Sequence, residues 1–115
     1  MNTVELIDRA TAETYATWFR ALSDPTRVQV LNLLAATGHP MTVGEITAAL
    51  PIGQSTVSHH LKILAETRFV LIEPAGTANL YRVNERRLTC FPSAADAVMG
   101  RQAPRLDATD CDGER

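Results

Sequence analysis

Aromatic residues and long apolar runs are scarce in this chain of 115 residues, which is long enough for one domain. Because Phe, Trp and Tyr make up only 5% of the sequence, the core must be built from Leu, Ile, Val and Ala, which favours a helix-rich fold. No apolar run approaches the roughly 18–20 residues that a membrane-spanning helix needs. Charges at Glu5, Asp8 and Arg9 leave no signal-peptide core. We therefore expect a cytoplasmic protein with no membrane partner.

Cysteine is nearly absent as well. Cys90 and Cys111 are the only two in the sequence, too few and too close to the C-terminus for the disulfide framework of a small secreted domain. This agrees with a cytoplasmic location, where thiols stay reduced.

The sequence also lacks the motifs of an enzyme. There is no Gly-rich phosphate loop, no nucleophile elbow and no pair of carboxylates in a plausible pocket. Ser58 and His59 are adjacent, and neighbours on a helix do not face each other, so they do not form a catalytic dyad. We expect no catalytic activity.

A net positive charge, common in nucleic-acid binders, is missing too. The formal charge is −2, yet residues 20–90 carry seven Lys and Arg against five Asp and Glu, between two acidic ends. A mildly basic middle permits contact with phosphates. Ordinary solvated charge explains the same numbers, so charge alone does not decide the function.

Helix start and stop signals divide the rest of the chain. Apolar spacing predicts a helix over residues 3–22, and Asp24 before Pro25 starts a second helix that Gly38 ends. Thr42 and Glu45 form a capping box. The short helix that follows, the turn over residues 51–53 and a helix over residues 54–66 have the layout of a helix-turn-helix motif.

Beyond residue 68 the pattern changes to β-rich runs. Residues 69–72 and 80–83 predict a hairpin joined by a loop over residues 73–79. Asn84 can cap a turn over residues 85–88, and Pro92 can open a last helix that reaches Met99. Residues 1–100 then form the domain, and residues 101–115 are predicted to be a flexible acidic tail.

The helix over residues 54–66 separates two kinds of side chain. Val57, Leu61 and Leu64 cluster on one side at helical spacing. The opposite side presents an amide, hydroxyls, imidazoles and an ammonium, which can bond base edges or phosphates. The N-terminal turn of such a helix enters the major groove, where Gln54 can make a bidentate contact with adenine. An amphipathic core helix with a solvated face fits the periodicity equally well.

Several segments together resemble the ArsR/SmtB family of bacterial winged-helix repressors, which act as dimers and release DNA on sensing an effector. The resemblance covers about residues 15–85. It rests on Ala21-Leu22-Ser23-Asp24-Pro25-Thr26-Arg27, on Leu31 and Leu33-Leu34, on Gln54 through Leu64, and on Leu80-Tyr81-Arg82-Val83. The implied fold is mainly α with a small β-hairpin: a dimeric winged helix-turn-helix in the order α-α-α-α-β-β-α.

The resemblance also implies roles for individual residues. Those that would face bases are Gln54, Ser55, Thr56, Ser58 and His59. His60 and Lys62 would lie near phosphates, and the wing would offer Thr77, Asn79 and Arg82 to the DNA backbone. The wing tip lacks the basic residues common in the family. The first helix, with Trp18 and Phe19, and the last helix would form a homodimer on palindromic double-stranded DNA, with no cofactor required for binding.

Effector ligands are harder to assign, because the usual patterns of the family are missing. Residues 41–50 contain no Cys and residues 85–100 no His. Trivalent arsenic or antimony favours thiolates, so Cys90 and Cys111 are the candidate metalloid ligands. The same pair could instead form a disulfide as a thiol redox switch. Regulation without an effector, and a protein-interaction module with no operator, remain alternatives.

Overall fold

The computed structural model describes residues 6–101 and 111–113. It contains five helices and one hairpin, in the order α1 (Arg9–Ala21), α2 (Pro25–Thr37), α3 (Val43–Ala49), α4 (Gln54–Glu66), β1 (Val70–Ala75), β2 (Ala78–Val83) and α5 (Glu85–Val98). The predicted order is confirmed, and it is that of a winged helix-turn-helix. Within the described part of the chain, no helix is both long enough and apolar enough to cross a membrane.

Side-chain caps fix the starts of α2 and α3. Asp24 accepts hydrogen bonds from the N–H groups of Thr26 at 2.8 Å and Arg27 at 3.3 Å. At α3, the Glu45 N–H donates to Thr42 Oγ1 at 3.1 Å, and the Thr42 N–H donates to Glu45 Oε1 at 3.0 Å. These caps and the start of α4 at Gln54 were predicted, and all are confirmed.

The start of α1 was predicted too early. Residues 6–8 precede the helix, and residues 3–5 lie outside the described part of the chain. Asp8 is the N-cap, because its side chain accepts a hydrogen bond from the Thr11 N–H at 2.8 Å. A capping side chain satisfies one of the unpaired N–H groups of the first turn, and this places the helix start at Arg9.

The strands of the hairpin are longer than predicted, and the prediction of a seven-residue loop over residues 73–79 is wrong. The antiparallel strands pair from Val70 opposite Val83 to Ala75 opposite Ala78, so only Gly76 and Thr77 form the turn. Gly76 has φ of 64°, a left-handed conformation that favours glycine. A short bridge between Met41 and Tyr81 ties this wing to the segment before α3.

The last helix is continuous, which also corrects the prediction. Asn84 does cap it, but α5 runs from Glu85 to Val98 with Pro92 in its interior. A proline there removes one intrahelical hydrogen bond. The buried face of α5, formed by Arg87, Cys90 and Ala94, spans the proline and holds the helix on the domain.

Three residues of the predicted flexible tail are packed on the domain. Cys111 is 1% exposed and covalently bound to Cys90. The expectation of a free tail is therefore wrong for residues 111–113. The expectation for residues 102–110, 114 and 115 lies outside the described part of the chain.

The core is built mainly from aliphatic side chains, as the scarcity of aromatics implies. Its largest fully buried aliphatics are Val30, Leu34, Ile46, Val57, Leu61, Leu64 and Val70, joined by the ring of Phe69. Helix α4 packs against α2, α3 and β1. This packing fixes which side of α4 turns inward and which is left for a partner.

Candidate nucleic-acid interface

Helix α4 has one buried face and one polar, exposed face. Val57, Leu61 and Leu64 are each 0% exposed, which confirms their predicted place in the core. The exposed members of the helix that had been predicted to contact DNA are Gln54, Ser55, Thr56, Ser58, His59 and Lys62. We call this set the α4 polar face. It presents one amide, three hydroxyls, one imidazole and one ammonium on a single rigid element.

The N-terminus of α4 is open. Its N-cap is Gly53, and no side chain in the described part of the chain caps it. The first intrahelical bond runs from the Val57 N–H to the Gly53 carbonyl at 3.0 Å. The preceding N–H groups thus lack helical partners, and such groups at a helix N-terminus can hold a phosphate oxygen.

His60 does not belong to this surface, contrary to the sequence prediction. Its side chain is buried, with Nδ1 3.2 Å from Arg27 Nη1 and Nε2 3.9 Å from Asp24 Oδ1. His60 thus ties α4 to the start of α2, and its buried side chain is not placed to contact a phosphate. Helical spacing could not reveal this, because the partner Arg27 lies 33 positions away in the sequence.

The hairpin stands beside the C-terminal half of α4. Ser58 and Lys62 on the helix and Tyr81 on β2 line an open cleft between them. Thr77 and Asn79 at the hairpin end are exposed, as a DNA-contacting wing requires. Arg82 is less accessible, because its guanidinium forms an ion pair with Glu73 across the hairpin.

The part of the chain that contains the helix-turn-helix matches a known protein family. Residues 24–70, which span α2, α3, α4 and the first residue of β1, match the family "Bacterial regulatory protein, arsR family". The HTH-type transcriptional regulator Rv2034 of Mycobacterium tuberculosis is 34% identical over 101 residues, which cover 88% of this chain and 85% of that protein. The chain belongs to the ArsR family.

Two further similarities widen the comparison. The arsenical resistance operon repressor of Staphylococcus xylosus is 31% identical to this ArsR-family chain. The match covers 72% of this chain and 78% of the repressor. The solution structure of the homodimeric winged helix-turn-helix DNA-binding domain of Mb0332 from Mycobacterium bovis matches with a TM-score of 0.65. That match covers 91% of this chain and 98% of the other at 24% identity, and it supports the fold.

The two cysteines of this ArsR-family chain meet in a disulfide. Cys90 on α5 and Cys111 are joined at 2.00 Å, and both are buried. In this oxidised form neither sulfur is a thiolate that could bind a metalloid. Within residues 6–101 and 111–113, no group of three or more His, Cys, Asp or Glu side chains is arranged to hold a metal ion.

A buried arginine that the sequence analysis did not single out lies one turn before Cys90. Arg87 is 2% exposed, and its guanidinium carbon lies 4.3 Å from the centre of the Trp18 ring. Its Nη2 donates to Asp112 Oδ1 at 3.2 Å. Burial lowers the pKa of Arg87; Asp112 raises it, and the Arg68 cation lowers it further. The tail thus brings a counter-charge to a cation that water barely reaches.

Proposed function

We propose that this chain is a sequence-specific DNA-binding transcriptional repressor whose recognition helix is α4. The observation that carries the proposal is the α4 polar face. It starts at an uncapped helix N-terminus and is held rigid by the fully buried Val57, Leu61 and Leu64 on the other side. Helix-turn-helix proteins place the N-terminal residues of such a helix in the major groove. Membership of a family of regulatory proteins supports the same conclusion.

Within this proposal the exposed residues divide into two groups. Gln54, Ser55, Thr56, Ser58 and His59 read base edges, since amides and hydroxyls suit that role. Lys62 on α4 and Thr77, Asn79 and Arg82 on the hairpin contact the backbone, which positions the protein on the duplex. Arg82 must leave Glu73 to do so. Binding needs no cofactor.

We propose that the working unit is a homodimer on a palindromic site. Apolar side chains remain exposed on α1, on α5 and just outside these helices, where solvent contact is unfavourable: Leu6, Ile7, Phe19, Leu88, Val98 and Met99. The homodimeric Mb0332 domain shares the fold. A two-fold dimer contacts two half-sites about one helical turn apart, roughly 34 Å.

Effector response is assigned to Cys90 and Cys111. Two relatives that repress arsenical resistance operons favour a thiophilic metalloid, which the reduced pair could bind. The disulfide favours the second candidate, a thiol redox switch. A protein that binds the chromosome works in the cytoplasm, where disulfides in mesophiles are usually transient and catalytic or redox-sensing.

Selection from a random DNA pool with the purified, full-length chain tests the DNA-binding proposal. We expect enrichment of one palindrome and a footprint with two protected half-sites. A protein-interaction module would enrich no sequence, and a single asymmetric half-site would contradict the dimer. Release of the selected DNA by arsenite or by oxidant, compared between wild type and Cys90→Ser, then distinguishes the two effector classes.

A further inference from the structure

The segment Cys111–Gly113 packs against four residues of the domain, Arg68, Asn84, Arg87 and Cys90. We call the place where it packs the α5 pocket. The covalent bond to Cys90 is only one of several contacts in the pocket. The others recognise the main chain, the carboxylate and the shape of the bound segment, so the pocket has the elements of a binding site as well as of a cross-link.

The main chain of the segment is held by two side chains. Asn84 Nδ2 donates to the carbonyl of Asp112 at 3.0 Å and, more weakly, to that of Cys111 at 3.4 Å. Arg68 Nε donates to the Asp112 carbonyl at 3.0 Å. Asn84 is 1% exposed, so its position is fixed by the surrounding structure. These bonds require a peptide group in the occupant but no particular side chain.

The third position of the segment accepts glycine alone. Gly113 has φ of 82°, a left-handed conformation, and a Cβ atom added there would lie 2.5 Å from Asn84 Oδ1. The pocket therefore selects a thiol residue, an acidic residue and then a residue without a side chain.

The carboxylate subsite is only partly used. Arg87 Nη2 bonds Asp112, but Arg87 Nε and Nη1 are buried with no hydrogen-bond partner among the residues that the structure describes. A buried donor without an acceptor is costly, and arginine readily binds carboxylates in a bidentate manner. The Asp112 side chain is 47% exposed, so the subsite opens to solvent.

We propose that the α5 pocket is a binding site for a small cysteinyl peptide that carries a carboxylate, and that this ligand forms a mixed disulfide with Cys90. The ligand thiolate attacks Cys90 Sγ, the Cys90–Cys111 bond breaks, and Cys111 leaves as a thiolate that takes a proton from water. One disulfide replaces another, so no oxidant is consumed. The ligand carboxylate replaces that of Asp112 and is free to pair with the unused donors of Arg87.

Intact-mass measurement of the mixed disulfide tests this inference. The full-length Cys111→Ser chain, whose sole thiol is Cys90, is equilibrated with reduced and oxidised acetyl-Cys-Asp-Gly-amide, and separately with acetyl-Cys-Asn-Gly-amide. We expect the equilibrium constant to favour the Asp peptide by about tenfold or more, the effect of a hydrogen bond to a charged group. The oxidised wild-type chain should also gain the Asp peptide, at Cys90.

Variants of the pocket locate the effect. Adding Arg87→Gln to the Cys111→Ser chain should abolish the preference for the Asp peptide. Arg87→Lys should only reduce the preference, because lysine keeps the positive charge but lacks the paired N–H donors of a guanidinium. Arg86→Gln, at an exposed neighbouring position, is the matched control and should keep the preference. Arg87→Lys also serves as the test if Arg87→Gln fails to fold.

Two outcomes would show that the α5 pocket holds only a structural cross-link. One is equal equilibrium constants for mixed-disulfide formation with the Asp and Asn peptides, and the other is a preference for the Asp peptide that survives in both Arg87 variants. Absence of any adduct on the wild type would contradict the displacement step. The inference goes beyond the proposed DNA binding. Because the assay contains no DNA, its failure would leave that proposal standing, and a failure of DNA binding would leave this inference standing.

Discussion

The imidazole of His60 contacts the guanidinium of Arg27, with 3.2 Å between Nδ1 and Nη1. The same arginine donates from Nε to the carbonyl of Ala21 at 2.5 Å, and Asp24 caps α2 beside it. One polar cluster therefore joins the end of α1, the start of α2 and the middle of α4. It fixes the direction in which the α4 polar face points.

Asp24 should make the stability of the protein depend on pH. Burial acts to raise its pKa, but hydrogen bonds from the Arg27 and Thr26 N–H groups and the electrostatic effects of His60 and Arg27 together lower it below 3.8. A lowered folded-state pKa contributes stability above the unfolded value, and this contribution is lost as pH falls through the folded value. The free energy of unfolding of Asp24→Asn should thus lie below that of wild type at pH 7, with a difference that shrinks below about pH 4.

Urea unfolding at several pH values measures this difference. Asp96→Asn is the control, because Asp96 lies 4.0 Å from the exposed Arg101, and such surface pairs contribute little. A gap between wild type and Asp24→Asn that stayed constant down to pH 2 would show that the carboxylate charge of Asp24 is not the cause.

Gln54→Ala should weaken binding to the selected operator and relax its specificity. A bidentate contact between an amide and a base contributes about 1–3 kcal/mol of discrimination, so we expect a loss of roughly 5- to 150-fold for each half-site of the operator and little change on random DNA. Fluorescence anisotropy measures both affinities. Gln29→Ala, an exposed glutamine on α2, should bind as wild type does, and an equal loss in the two variants would exclude a base contact by Gln54.

Met99→Glu should shift the dimer towards monomers. Met99 is 75% exposed in the single chain, so the substitution leaves the fold intact, but in a two-fold interface it places two charges in an apolar contact. Sedimentation velocity over a dilution series measures the shift. The control is Ile72→Glu, at an exposed apolar position on β1. If Met99→Glu associated as tightly as wild type, the dimer would use another surface.

Reduction of the Cys90–Cys111 bond should destabilise the domain. The bond joins residues 21 positions apart. In the chain-entropy model, closing a loop of that length lowers the entropy of the unfolded chain and raises the free energy of unfolding by about 3 kcal/mol. Thermal unfolding with and without a phosphine reductant should show a lower Tm after reduction. The Tm of Cys111→Ser should not respond to the reductant. A wild-type Tm that also ignored it would mean that the bond does not form in solution.

Local signals explain why most of the fold could be predicted from the sequence. The Asp24 cap, the Thr42–Glu45 box and the start of α4 at Gln54 each depend on residues within four positions of one another. The apolar face of α4 follows from its periodicity alone. These features needed no knowledge of distant contacts.

The failures share a cause, which is contact between distant segments. The family resemblance places His60 near phosphates at the surface, and local spacing could not reveal its burial because its partner Arg27 belongs to another helix. Pro92 predicts a helix start, yet buried residues before and after it, Cys90 and Ala94, keep α5 continuous. The acidic composition of the tail predicts a free segment, but Cys111 contacts Cys90 and Asn84, which lie 21 and 27 positions away.

The salt dependence of DNA binding tests the central claim, that the α4 polar face meets a duplex. Anisotropy titrations of wild type and Lys62→Ala against the selected palindrome, at several salt concentrations, give the slope of log affinity against log salt. Each phosphate contact contributes about −0.9 to that slope. We predict a steep slope for wild type and one shallower by about two units for Lys62→Ala, because each subunit of the dimer loses one phosphate contact. Binding that ignored salt, or no binding at low ionic strength, would contradict the claim.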